Sequence, residues 1–152
     1  MTVTTAIEHE PASLEYGVAR QVVVHFDDLD PAAVVHNARY ALLLERAIGT
    51  WFAEHGYTFA NGAPSSSDMM AGVREFVITY HVPIRGTGPV DVHFWIDKLG
   101  RSSAVYGFRF LSPDHRTVYA EGRRVMVKMD FRAGTPLPWT DEGLALVARL
   151  VR

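Results

Sequence analysis

The stretch Tyr40-Ala-Leu-Leu-Leu-Glu-Arg-Ala-Ile-Gly-Thr-Trp-Phe52 decides the reading of the chain. Tyr40, Leu43, Leu44, Ala47, Ile48, Trp51 and Phe52 recur at i, i+3, i+4, i+7, i+8, i+11 and i+12, one unbroken apolar stripe with the period of an α-helix. Asn37 is placed to cap its start and Gly56 lies where a left-handed residue would close its end, so the spacing predicts a helix over 37–55. A stripe this heavy and aromatic belongs in the middle of a core.

Upstream, Val18–Phe26 is rich in β-branched residues and reads as a strand that Asp27-Asp-Leu-Asp-Pro31 stops. Downstream, the Gly/Pro/Ser-rich residues 60–70 form a loop, expected as a mobile cover. Four strand-like segments follow, at 72–82, 89–99, 102–111 and 116–130, separated by short turn signals that make successive strands antiparallel neighbours. Gly107 and Gly122 inside them suggest sharp curvature or bulges. Thr140 caps a short closing helix. One strand, one long helix and a run of antiparallel strands fit a single α+β domain, a curved antiparallel sheet wrapped around a central helix, over 16–152, with 1–15 as a flexible tail.

Composition narrows the function. The chain has 152 residues, 48% hydrophobic, with no cysteine and a formal net charge of −2. No disulfide, thiol nucleophile or thiolate zinc site is available. The charge balance disfavours a nucleic-acid partner, and no apolar run is long enough to span a membrane, so the expectation is a cytoplasmic protein. His25, His81 and His93 fall on separate strands without metal-ligand spacing, so no metal is expected.

The chemistry-bearing stretch is Phe26-Asp-Asp-Leu-Asp-Pro-Ala-Ala-Val-Val-His-Asn-Ala-Arg-Tyr40. Three carboxylates at a strand end lead into a helix N-terminus, where unpaired N–H groups and the positive end of the helix dipole gather. A carboxylate opposite such a terminus is equipment for attack on an acyl carbonyl. Solvated turns and helix caps use the same residue types.

The stretch resembles the 4-hydroxybenzoyl-CoA thioesterase family of hotdog-fold proteins, whose pattern is roughly aromatic-x-D-x-D-x-x-G-[VIH]-V-x-x-x-x-Y-h-x-x-h-[DE]-x-[AR]. The chain reads F-D-D-L-D-P-A-A-V-V-H-N-A-R-Y-A-L-L-L-E-R-A from Phe26 to Ala47 without a gap. Tyr80-His-Val-Pro83, Leu99-Gly-Arg-Ser-Ser103 and Gly134-Thr-Pro-Leu-Pro138 match three further family motifs in order. The departures are Ala33 for the usual glycine, which makes a left-handed backbone there costly, and Leu29 for a small polar residue.

The resemblance implies a thioesterase acting on an acyl-CoA or an acyl carrier protein. Asp30 would be the nucleophile or general base, and the backbone N–H of Asn37 would polarise the thioester carbonyl. Glu45 falls at the family's acidic helix position, facing an acyl pocket or solvent. His36 would orient water or substrate, or bond locally. Tyr40, Ser102 and Ser103 are further substrate-contact candidates, against core packing for Tyr40 and backbone bonding for the serines. Asp28 is expected to cap the turn. Lys98, Arg101, Arg123 and Arg124 could meet coenzyme phosphates or form a solvated strand face. No cofactor is implied, coenzyme A or phosphopantetheine entering only as part of the substrate. The smallest assembly implied is a homodimer, with a homotetramer as its extension. The alternatives are a hotdog dehydratase, a non-catalytic acyl-binding module, and a haloacid-dehalogenase-type phosphatase, which needs a parallel sheet and Mg²⁺.

Overall fold

The computed structural model describes residues 10–152. Its elements are β1 (Val18–Val24), α1 (Tyr40–Glu54), β2 (Ala71–Tyr80), β3 (Gly88–Leu99), β4 (Ser103–Leu111), β5 (Val118–Asp130), β6 (Thr135–Pro136) and α2 (Asp141–Val147). All strand pairs are antiparallel, and the sheet runs β1-β3-β4-β5-β2, with β6 added to the far end of β5. The sheet curls around the central helix. This is the α+β hotdog arrangement, and the antiparallel sheet removes the phosphatase alternative.

The apolar stripe fills the core as its period requires. Leu43, Leu44 and Ala47 are fully buried, and Trp51 is 2% exposed. They meet the inward residues of the sheet, among them Val92, Phe94 and Ile96 of β3 and Phe108 and Phe110 of β4. Period two in the strands and 3.6 in the helix thus point their apolar sides at one interior.

The helix begins differently from the expectation. His36, not Asn37, is the capping residue: its Nδ1 accepts from Ala38 N at 3.0 Å. Asn37–Arg39 form one 3₁₀ turn that runs straight into α1, so the helical segment spans 37–54. At the closing helix Thr140 does cap, its Oγ1 accepting from Gly143 N at 3.0 Å.

The two strand glycines serve close approach, not bulges. A Cβ at Gly107 would lie 2.3 Å from the Trp95 ring, and one at Gly122 would lie 1.9 Å from the Val77 carbonyl oxygen. The register shifts fall elsewhere, at Val73/Glu75, Ile96/Lys98 and Phe110/Leu111. Of the expected tail, residues 1–9 lie outside the described residues. Next to them, Ala12 N donates to His115 O at 2.8 Å and Arg109 Nη2 donates to Ser13 O at 2.7 Å.

Candidate active site

The carboxylate candidate, Asp30, sits in a tight loop. Ala33 N donates to Asp30 O and Asp30 N donates to Val34 O, both at 2.9 Å. This is a β-turn with Pro31 at its second position, where a fixed φ fits. The Leu29–Val35 bridge closes the hairpin. The bond pattern demands a left-handed residue at the turn's end, and Ala33 takes it with φ 58°. That is the conformation for which the family's glycine is suited. Its carbonyl accepts from Gly86 N at 2.9 Å, which holds the strained residue in place. Ala33→Gly is therefore expected to stabilise the fold by about 1 kcal/mol, the left-handed penalty of an L-residue offset by glycine's freedom in the unfolded chain. A chemical denaturation midpoint unchanged or lower in the variant would contradict this.

The Asp30 side chain is half-buried. Its Oδ1 accepts from Ala32 N at 2.8 Å and more weakly from Val34 N at 3.4 Å. Its Oδ2 has no partner among the described residues. One oxygen thus anchors the carboxylate and the other is available.

Asp28 anchors the loop from inside. It is 1% exposed, its Oδ2 accepts from His25 N at 2.8 Å, and Arg39 and Arg46 each reach its carboxylate at 4.0 Å. Its carbonyl accepts from His36 N at 2.9 Å. That bond ties the carboxylate loop to the start of the helix at His36 and Asn37. The Asn37 N–H makes no hydrogen bond among the described residues, as the first amide of a helical segment should not. It stands at the positive end of an 18-residue helical run, suited to a developing oxyanion.

Beside this terminus lies a recess of about 300 Å³, lined by Val35, Asn37, Tyr40, Tyr80, Val82 and others. Tyr40 contributes a wall, but it is a core residue. It is 3% exposed, edge-on to Tyr80 and Phe110, and burial pushes its hydroxyl pKa up. His36 is exposed and spends its Nδ1 on the cap.

Glu45 lies two turns further along the helix. It ion-pairs with Arg124 and lines a second, larger cavity of about 550 Å³ between α1 and the sheet. Arg124, expected on a solvated or phosphate-facing strand side, is instead buried and inward. Lys98, Arg101 and Arg123 are exposed, and Arg123 pairs with Glu75 at 2.7 Å. The alternation Ala120, Gly122, Arg124, Met126, Lys128 was the available signal, since these residues share the inward side of β5 with buried Ala120.

Ser102 and Ser103 are not brought to Asp30 within the chain. Val24, at the Asp30 end of β1, pairs with Gly88, whereas the serines follow Leu99. The length of β3, roughly 35 Å of extended chain, separates the two ends. The serine carbonyls are structural: Ser102 O accepts from Lys128 N at 2.8 Å, and Ser103 O from Gly100 N at 2.8 Å and Trp139 Nε1 at 3.2 Å.

Of residues 60–70, Asp68 and Met69 line the larger cavity, and Ser65, Ser67 and Asp68 are held by hydrogen bonds. Ser65 Oγ accepts from Thr58 N at 2.9 Å, and Lys128 Nζ donates to Ser67 Oγ at 2.8 Å and Asp68 Oδ1 at 2.7 Å. Burial alone would raise the Asp68 carboxyl pKa, but Lys128 and Thr140 outweigh it and hold it below the usual range. The three histidines stay apart: buried His93 bonds Tyr16 O at 2.7 Å, and exposed His81 approaches Glu121 at 3.7 Å. Among the described residues no helix is long and apolar enough to cross a membrane.

The fold recurs in known structures. The chain matches the PA5185 protein of Pseudomonas aeruginosa strain PAO1 at 22% identity and TM-score 0.78, covering 93% of this chain and 96% of that one. A Thermus thermophilus thioesterase, solved with coenzyme A and zinc, matches at 25% identity and TM-score 0.68 over 89% and 95% of the two chains. A 1,4-dihydroxy-2-naphthoyl-CoA thioesterase of Synechocystis shares the fold at 12% identity and TM-score 0.74, over 87% and 96%. No curated protein sequence matches. The family model of the thioesterase-like superfamily matches residues 24–147, which include the carboxylate loop, the central helix and all four long strands of the second half, and the chain belongs to that superfamily.

Proposed function

We propose that the protein hydrolyses an acyl-CoA thioester. The observation that carries this reading is a half-anchored carboxylate, Asp30, in a loop that the His36 N to Asp28 O bond ties to the helix start, where the Asn37 N–H has no partner among the described residues. The amide receives the thioester oxygen as it gains charge. The free Asp30 oxygen attacks the carbonyl carbon or takes a proton from the water that does. Collapse of the adduct expels the coenzyme A thiolate, which takes up a proton; where Asp30 itself attacked, water then cleaves the mixed anhydride and regenerates the carboxylate, and in either branch the free acid leaves. The coenzyme A-bound Thermus relative supports a coenzyme A ester over a carrier protein. A panel of acyl-CoA and acyl-carrier thioesters scored for released thiol tests this. Turnover confined to the carrier-bound esters, or to none, would overturn it.

The working unit in this reading is a dimer. β2 pairs with β5 on one side only and leaves its other edge unpaired. Along it Val73 and Val77 are exposed, at 55% and 39%, and so is Tyr80 at its end. An apolar open edge is a template for a second strand, and two-fold pairing of β2 with itself would satisfy it. Tyr80 also lines the recess beside Asn37, so the join would complete the wall of the site. Sedimentation at micromolar concentration is expected to show a dimer or a multiple of it. An active, strictly monomeric species would refute the model.

A further inference from the structure

The larger cavity has the size and lining of a ligand site. Its walls are mostly apolar and aromatic, with Ile48, Phe52, Met126 and Trp139 among them. Its volume of about 550 Å³ is that of a small-molecule site. On its wall Asp68 is satisfied by Lys128 and Thr140, Thr140 Oγ1 donating to Asp68 Oδ2 at 2.5 Å.

Two donors on its wall are not satisfied. Arg124 is 4% exposed, and its Nε is buried without a hydrogen-bond partner. The hydroxyl of Tyr106, a residue 6% exposed, also has no hydrogen-bond partner among the described residues. The two side chains are neighbours on paired strands, the Arg124 guanidinium lying 5.7 Å from the Tyr106 ring centre. Among the described residues the Arg124 Nε is the buried side-chain donor left open, a cost that an acceptor in the cavity would offset, and the Tyr106 hydroxyl beside it stays free to donate. Burial pushes the Tyr106 hydroxyl pKa up to about 12, so it remains a donor.

The charge balance selects the kind of acceptor. Glu45 already neutralises Arg124, and Lys128 neutralises Asp68. An additional carboxylate would enter uncompensated, whereas a neutral oxygen would not. Resting on the proposed acyl-CoA reading, we infer that Arg124 and Tyr106 select acyl groups that are apolar along most of their length and carry one neutral oxygen acceptor, a hydroxyl or keto group.

The test uses binding of non-hydrolysable alkyl-CoA thioethers, measured by calorimetry on the full chain. The probes are a plain decyl chain and the same chain bearing a hydroxyl or keto oxygen at successive carbons. At one position the oxygenated probe should bind at least about tenfold tighter than the plain chain, as expected for a hydrogen bond from a charged donor. Tyr106→Phe, which keeps the ring, should reduce that preference. Arg124→Met with Glu45→Gln, which keeps the charge balance, should abolish it. The inference is overturned if no oxygenated probe outbinds the plain one, or if the preference survives both substitutions. Thiol release from plain acyl-CoA together with indifferent thioether binding would sink this inference and leave the hydrolase reading standing. Absent thiol release with the oxygen preference intact would do the reverse.

Discussion

Asp30→Asn is expected to lower kcat for thioester hydrolysis by at least about 10²-fold, and by as much as 10⁴-fold, while leaving the fold unchanged. The substitution is nearly isosteric. An asparagine oxygen can keep the bond from Ala32 N that now holds Asp30 at 2.8 Å, so the turn keeps its shape. What is lost is the second, unpartnered oxygen as a nucleophile or base. A neutral amide neither attacks a thioester readily nor accepts a proton from water near neutral pH. The Asn37 amide remains, which is why residual turnover above the uncatalysed rate is expected. Thermal melting of the variant should match that of the parent. Near-parental kcat in protein of confirmed mass, free of deamidation, would remove Asp30 from the mechanism.

Trp51→Ala is the largest expected loss of stability, roughly 3–5 kcal/mol. Trp51 is 2% exposed, with ring centres 5.0 Å from Phe52 and 4.4 Å from His55. No neighbouring side chain on a well-packed helix can move in to fill an indole-sized space. For a chain of this length the melting temperature should drop by about 10 °C or more. A shift of only a degree or two would mean that the centre of the domain lies elsewhere.

Most of the architecture was legible because two simple periods carry it. The seven-residue stripe from Tyr40 to Phe52 had one possible destination, and the strand segments were fenced by Pro and Gly. The carboxylate loop was legible for the same local reason, since Pro31 and the residues around it bond mainly to one another. What escaped depended on distance or on a detail of side-chain chemistry. The cap went to His36 because an imidazole nitrogen reached Ala38 N, a role more often taken by Asn. Arg124 and Lys128 sit on the inward side of β5 against the ordinary expectation for charged residues, each made tolerable by a carboxylate far away in the chain. A motif gives order along the chain and not which end of a sheet a turn occupies, so the end of β3 at which Ser102 and Ser103 lie, away from Asp30 in the same chain, had to come from the structure. Ala33 is the instructive case: the departure from the family's glycine marked the position, and the bond pattern shows that the left-handed geometry was kept without it.

The open edge of β2 carries a genetic consequence. Its Tyr80 end lies with the carboxylate loop and its Ala71 end with the larger cavity. In the proposed dimer, antiparallel pairing of two such edges about a two-fold axis would set the loop of each chain toward the cavity of the other. Each copy would then lend half of its neighbour's machinery. A chain defective in the loop and a chain defective in the cavity could, on co-expression, assemble one intact centre from their undamaged halves, while the other centre collects both defects. Recovered activity in such mixtures, against none from either chain alone, is the signature of division of labour between identical subunits.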